Sequence, residues 1–476
     1  MRKTEPYATL WHDCGTVKEE AALHKELGLR DLVLAQVLCV VGSSWVGVAA
    51  KLGRAHVVFW LAAMLAFYVP LAAVVIYLNR LMPLEGGLYQ WAKQGFGEMA
   101  GFLIAWNLWV YAVVVVGAII FVVPTDLGYM LGPAWSWLAG SRWATLVLTG
   151  AVMAAITAVA VRGLDIGKWL HNAGSVMILL AYVILLGLPV WGLMRGTIAR
   201  FEPLPLEWPK ANWFSLAIFG QMTVGALSGF EYVAILAGEC RGAARTIGQS
   251  VVISAPVIAV MFILGTSTVL TFIGGQPINV IGPIPQTFRA AFGTVGVAGF
   301  AAQFGIFLLL GRAVASASLI FTGLTRLPMA TGWDNLVPRW FTRLDPRRRT
   351  PVNSIYFVAA LVMGLILLSL LGVREQEASQ LLTLASIVHY AIAYVALFAL
   401  PLFGRAALRR QLPQWLKVAA AAGMVSSLVA LLISVYPVVD VVSRVAFAGK
   451  ICAVVVVSNM AGVLIYRIGQ ARNPLE

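Results

Sequence analysis

The sequence predicts an all-α integral membrane protein with twelve transmembrane helices, and three observations carry that reading. Of 476 residues, 60% are hydrophobic and only 11% charged, with a mean hydropathy of +0.87; a soluble globular domain carries about 25% charged residues. The chain also divides into apolar runs of the length that crosses a bilayer, about 20 residues of helix. Finally, two of these runs are interrupted by glycine and serine. The first is broken at Val41-Gly42-Ser43-Ser44-Trp45-Val46-Gly47, and the sixth at Ala226-Leu227-Ser228-Gly229-Phe230-Glu231.

In chain order the twelve runs are 29–50, 56–80, 98–123, 142–161, 168–194, 212–238, 250–273, 292–324, 352–372, 379–403, 415–436 and 445–467. Residues 1–28 carry Arg2, Lys3, Glu5, Lys18, Glu19, Glu20, Lys25 and Glu26 without an apolar stretch leading to a small-residue cleavage site, so no removable signal peptide is expected. Between the runs, Lys and Arg set the orientation. Lys18, Lys25 and Arg30, Arg80 and Lys93, Arg162 and Lys168, Arg241 and Arg245, then Arg339 to Arg349 and Arg405 to Lys417 all fall on one side. The opposite loops hold Lys51, Arg54, Arg142, Arg195, Arg200 and Lys210, with Glu202 and Glu207 offsetting part of that charge. Both termini are therefore expected in the cytoplasm.

The formal net charge of +14 would point to nucleic acid in a soluble protein. Here the basic residues are dispersed through loops without interleaved aromatics, so the charge reads as topology and no nucleic-acid partner is expected. Cys14, Cys39, Cys240 and Cys452 lack metal-ligand spacing and lie in or near spans or on the reducing side, so neither a disulfide nor a metal centre is expected. His12 and Cys14 have no second pair with which to complete a metal site.

After the second run comes Pro83-Leu84-Glu85-Gly86-Gly87-Leu88-Tyr89. With the glycines of the first run and Gly229-Phe230-Glu231, this segment resembles the amino acid–polyamine–organocation (APC) superfamily, and the likeness extends over most of the chain. The family's loop-helix pattern, Pro-x-x-Gly-Gly-x-Tyr, is met by Pro83, Gly86, Gly87 and Tyr89. A later family segment is matched by Asp334, Asn335, Leu336, Pro338, Thr350 and Pro351, although the Arg that often precedes that Asp is absent. The resemblance implies the leucine-transporter type of fold, a 5+5 inverted repeat over 29–194 and 212–403. It also implies two peripheral C-terminal helices within 415–467, a cytoplasmic segment 1–28 and a cytoplasmic tail 468–476. The sequence itself adds that the two breaks are five runs apart, as such a repeat requires. A six-plus-six transporter would have a long central loop, and the loop between the sixth and seventh runs is short.

An amino acid presents a carboxylate and an ammonium, and unwound backbone can pair both: free N–H groups at a half-helix N-terminus take the first, carbonyls the second. Gly42, Ser43, Ser44 and Gly47 suit the carboxylate, while Gly225, Ser228 and Gly229 suit the ammonium. The competing reading of each small residue is close helix packing. Trp45 and Phe230 are the candidates for pocket walls, and Trp45, unusual for the family, points to a small substrate. Trp106 and Tyr111 in the third run read individually as packing aromatics. Ionisable residues inside spans are costly enough to be functional candidates, and three are read there: Glu231, Arg312 and His389. Arg312 lies 14 residues before Arg326, about 21 Å along a helix, and so near mid-membrane; it is expected to interact with Glu231 or with the substrate carboxylate. His389 reads as a neutral, hydrogen-bonded residue between helices ahead of a titrating one.

Many family members carry a Lys in the fifth span that occupies the place of a sodium ion in sodium-coupled relatives. The stretch Asn172 to Leu179 has none, which leaves proton symport, exchange and sodium coupling open, with Arg312 a possible substitute. The sequence thus reads as a secondary transporter of an amino acid or related amine, working by alternating access in a lipid bilayer with a coupling ion or counter-substrate and no cofactor. The reading from another class is a membrane-embedded enzyme or sensor, which would need convergent catalytic groups in the spans or a signalling domain.

Overall fold

A computed structural model describes residues 28–82, 87–229, 243–330, 333, 336–346, 348 and 350–472. The first run is two helices, α1 (Leu29–Val40) and α2 (Ser43–Ala50), bent by 46° at the break. The second is α3 (Gly53–Leu81), followed by a short amphipathic helix α4 (Leu88–Phe96). The third is α5 (Glu98–Leu131), with a turn at Phe121–Val122, and the fourth and fifth are α6 (Arg142–Arg162) and α7 (Leu164–Arg195). The described part of the sixth run is α8 (Trp213–Ala226), and the seventh is α9 (Ala243–Ile273). A ten-residue helix, α10 (Pro283–Phe292), precedes α11 (Gly296–Ala330), the eighth run. The chain ends with α12 (Val352–Ser369), α13 (Glu375–Phe403), α14 (Gln414–Ile433) and α15 (Arg444–Arg472).

Among the described residues, ten continuous helices are long and apolar enough to cross a bilayer, and the bent pair α1 and α2 makes an eleventh candidate. No strand occurs among them. The helical result follows from the solvent: in hydrocarbon every backbone polar group must be satisfied within the segment, which helices do.

Burial separates core from periphery. In the most apolar stretches of α13 and α5, 78% and 72% of residues are buried, against 17% in α15. α5, α11 and α13 form the centre; α7 lies along α11, and α14 lies against α13 and α3. α15 touches α5 and α13 through a buried polar seam. His389 Nδ1 donates to the Ala385 carbonyl at 2.8 Å, so its Nε2 accepts from Ser458 Oγ at 2.7 Å. Asn107 donates to Asn459 at 2.8 Å, and Trp106 Nε1 donates to the Ser458 carbonyl at 2.7 Å. His389 is therefore hydrogen-bonded between helices, and Trp106 packs on α15 against Gly462.

Loops that the alternation of spans assigns to one face touch one another. On one face, the Arg405 N–H donates to the Gly95 carbonyl and Thr350 Oγ1 to the Val161 carbonyl. On the other, Arg54 pairs with Glu202 and Glu207, Lys51 Nζ donates to the Val438 carbonyl at 2.7 Å, and Arg142 Nη2 donates to the Val373 carbonyl.

Candidate functional site

The break in the first span lies at Val41 (φ −81°, ψ 98°) and Gly42 (φ −98°, ψ 140°), both extended. Two opposed half-helix ends result. The last turn of α1 ends on carbonyls, with negative partial charge, and α2 begins with N–H groups that Gly42, lacking a side chain, does not cap. Ser43 is buried and Ser44 half-buried at this N-terminus.

Gly42 is not required by its φ angle. A Cβ there would lie 2.7 Å from Cδ1 and Nε1 of Trp45, whose ring folds back over the break. The far edge of the same indole meets the second broken helix: a Cβ on Gly225 would lie 2.7 Å from Trp45 Cη2 and 3.0 Å from Ile387 Cδ1 of α13. Trp45 thus bridges the two interrupted spans.

α8 loses its regular winding before it ends. Residues Gln221–Ala226 form a wide π-helical turn, Leu227 leaves the helix, and Gly229 has φ +105°, a conformation that favours glycine. The Gly229 N–H reaches Tyr394 Oη at 3.4 Å. Tyr394 stacks on Tyr390 with ring centroids 4.4 Å apart, and Tyr390 on Tyr111 at 3.7 Å, so an aromatic column from α13 and α5 backs the unwound segment. Tyr111 is accordingly part of the surroundings of the break, whereas Trp106 faces α15. Ser228 is buried beside Gly229, and Gly229 itself lies against Cys39 of α1. Phe230 and Glu231, with the expected link from Glu231 to Arg312, fall outside the described residues.

Gly47 points elsewhere. A Cβ there would lie 2.5 Å from Pro283 Cβ, so it gives α10 a flat seat on α2. Arg312 is buried, and its Nη2 donates to the Leu38 carbonyl at 3.5 Å; Ser316 Oγ donates to the same oxygen at 3.4 Å. A guanidinium therefore stands at the C-terminal, electronegative end of α1. α7 closes on this junction through Gly174, which faces Ala315 and Leu38. Gln36 pins α1 on its other side, donating to Ser250 Oγ at 2.8 Å and accepting from Ser254 Oγ, both on α9.

Asp126, on the last turns of α5, was not among the ionisable residues read from the sequence. The third apolar run ends at residue 123, but the helix continues to Leu131. The signal is present in Val123-Pro124-Thr125-Asp126, with proline and acid in one first turn, a helix-start pattern. Among the described residues no group of three or more His, Cys, Asp and Glu is placed to hold a metal ion. Open grooves along the flanks, one lined by Ile76, Arg80 and Val252 and another by Met153, Thr157 and Met363, contain none of the break residues.

The chain shares 22% identity with the branched-chain amino acid permease BcaP of Bacillus subtilis, over 80% of this chain and 82% of the relative. It is also 22% identical to a probable agmatine/putrescine antiporter of Lactococcus lactis, over 70% and 69% of the two chains, and to a putative arginine/ornithine antiporter of Escherichia coli, over 66% and 68%. The family model described as amino acid permease matches residues 32–458, covering nearly all of both interrupted spans, α13 and the first half of α15. The chain therefore belongs to the amino acid permease family of the APC superfamily and is a multi-pass membrane protein with that family's fold.

Proposed function

We propose that this protein is a secondary active transporter that moves an amino acid or related amine by alternating access, through proton symport or exchange. One observation carries the reading: the two interrupted helices meet at Trp45, whose indole lies over Gly42 and against Gly225. The uncapped N–H groups of Ser43 and Ser44 offer a dry receptor for the substrate carboxylate. Carbonyls of the unwound segment at Ser228 and Gly229 offer one for the ammonium, and Phe230, outside the described residues, is proposed as a wall of the pocket. Trp45 limits the volume between them, which favours a small substrate. Gly47 serves this site at one remove, by seating α10 on α2.

The guanidinium of Arg312 at the α1 carbonyl end stands as a fixed cation, which supports sodium-independent operation. In this reading the chain crosses the membrane twelve times with both termini in the cytoplasm. Residues 29–194 and 212–403 form inverted repeats, 415–467 the two outer helices, and 1–28 and 468–476 cytoplasmic ends. The relatives named above are permeases and antiporters, which favours transport over a membrane enzyme or sensor.

The test is uptake into proteoliposomes of labelled leucine, alanine, arginine, agmatine and putrescine, with and without internal unlabelled compound and with sodium replaced by choline. Saturable uptake of at least one compound, unchanged in choline, is expected. Failure to move any of them would overturn the reading, and uptake that requires sodium would overturn the role given to Arg312.

A further inference from the structure

We propose that Asp126 is the proton-binding site of the transport cycle, loaded from the α10 side and covered by that loop helix. This rests on the transporter reading and names its coupling ion. Asp126 is 1% exposed, and neither carboxylate oxygen has a hydrogen-bond partner among the described residues. Placed so, a carboxylate is far better accommodated as the neutral acid than as an anion.

The groups around it define when that changes. Arg312 on α11 is near enough to attract a charge on Asp126, yet it makes no ion pair with it, its Nη2 being turned to the Leu38 carbonyl and its Nε unpartnered. Tyr182 of α7, its hydroxyl also unpartnered, and Cys39 of α1 lie within electrostatic reach of the same guanidinium. On Asp126's own helix, Tyr129 shares its hydroxyl with Asn279. Arg289 of α10 is occupied by the carbonyls of Tyr129 and Met130, at 2.6 and 2.5 Å, and Arg142 of α6 by Val373. Among the described residues, Arg312 is thus the cation available to Asp126.

Directly over the carboxylate lies Gly282, the residue before α10: a Cβ there would stand 2.9 Å from Oδ1 and 3.2 Å from Thr125 Cγ2. The loop backbone rests on the acid. Its polar attachments include the Arg289 bonds and the Asn279–Tyr129 bond, and its apolar ones include the Pro283–Gly47 contact and the buried Ile284 and Phe288, so lifting α10 must break this packing as well before Asp126 is exposed to water on that face. A proton then passes from that water to a carboxylate oxygen, and closure of α10 seals the acid. When the α1 end swings away, the Leu38 carbonyl leaves Arg312, the guanidinium turns to Asp126 and stabilises the carboxylate, and the same proton departs toward the opposite face. One proton enters and one leaves per cycle.

Infrared difference spectroscopy of wild type against Asp126→Asn tests occupancy without any substrate. A carboxylic-acid C=O band present in wild type at neutral pH and missing from the variant is expected, and no difference there would overturn the proposal. Proteoliposome uptake of whichever labelled compound the wild type moves tests coupling. An inwardly directed proton gradient should stimulate wild type, Asp126→Asn should lose that stimulation, and Asp126→Glu should regain part of it. Stimulation unchanged in Asp126→Asn, or absent in wild type, would overturn the proposal. If wild type moves none of the compounds, the transporter reading fails while the infrared band still decides the state of Asp126. Should Asp126→Asn not give monodisperse protein, Gly282→Ala serves instead. Its Cβ presses the loop off the carboxylate and admits water, so the band should be lost at a lower pH than in wild type, and an unshifted titration would count against the cover.

Discussion

Trp45 is wedged between two glycines from different broken helices, so its role can be tested from either side. Trp45→Ala removes a large half-buried ring and should cost about 3–5 kcal/mol of stability, read as thermal unfolding in detergent, while relaxing substrate choice toward bulkier compounds. Gly225→Ala keeps the tryptophan but drives a methyl into its edge, a misfit worth about 1–3 kcal/mol. Weaker substrate binding with near-normal expression is the expected result, measured as an increased KM. Unchanged substrate preference in well-folded Trp45→Ala would remove Trp45 from the site. Arg312 is a second single-residue test. Arg312→Ala should leave the Leu38 carbonyl served by Ser316 alone and strongly reduce transport in a protein that remains monodisperse, and Arg312→Lys should restore part of it. Equal activity of both variants to wild type would show that the fixed cation is dispensable.

At the scale of elements, α1 is a short helix with one free end inside the bundle, held by side chains rather than by its own length. Gln36 binds two serines of α9, and the Leu38 carbonyl binds two residues of α11. Gln36→Leu should cost about 1–3 kcal/mol, the penalty of orphaned buried polar partners, at the lower end because Ser250 and Ser254 also bond the carbonyls of Ile247 and Val251. Thermal unfolding checks it, and hydrogen exchange in 29–40 should rise. The seam between α13 and α15 gives an independent case. Ser458→Ala leaves His389 Nε2 buried without its donor, so a destabilisation of about 1–3 kcal/mol is expected. Ser458→Ala and Trp45→Ala involve separate contacts, so their effects on stability should add.

The whole molecule is arranged by the bilayer, which turns apolar runs into helices and basic loops into an address. Because same-face loops touch one another, the assignment of faces can be checked as a set. Arg200→Cys and Arg348→Cys, in a background without other cysteines, lie on opposite faces in this reading. Membrane-impermeant maleimide added to intact cells should label the first and spare the second. Labelling of both from outside, or the reverse pattern, would refute the proposed orientation.

Much of this architecture is legible in the sequence because bilayer insertion depends on local composition: a run of apolar residues is a span wherever it packs. Most runs lie within a few residues of the helices found; the third helix runs on to Leu131, the seventh starts earlier at Ala243, the eighth runs on to Ala330, and the described helix of the sixth stops at Ala226, while the glycine at 42 and the serine-glycine pair at 228 and 229 mark breaks in winding without knowledge of their neighbours. What a residue touches is not local. That Gly42 and Gly225 form two sides of one slot for Trp45, that Gly47 seats a loop helix, and that Arg312 turns to a carbonyl of α1 depend on contacts between residues up to 274 positions apart, which no pattern in the chain specifies. Asp126 shows the boundary between the two. Its proline-acid turn could be read as a helix start, but its lack of a hydrogen-bond partner among the described residues exists only once α10 has folded over it and α11 has turned its guanidinium elsewhere. Apolar length is a property of each segment and so resides in the sequence; desolvation of a single carboxylate is a property of everything packed around it, and is decided by the tertiary structure.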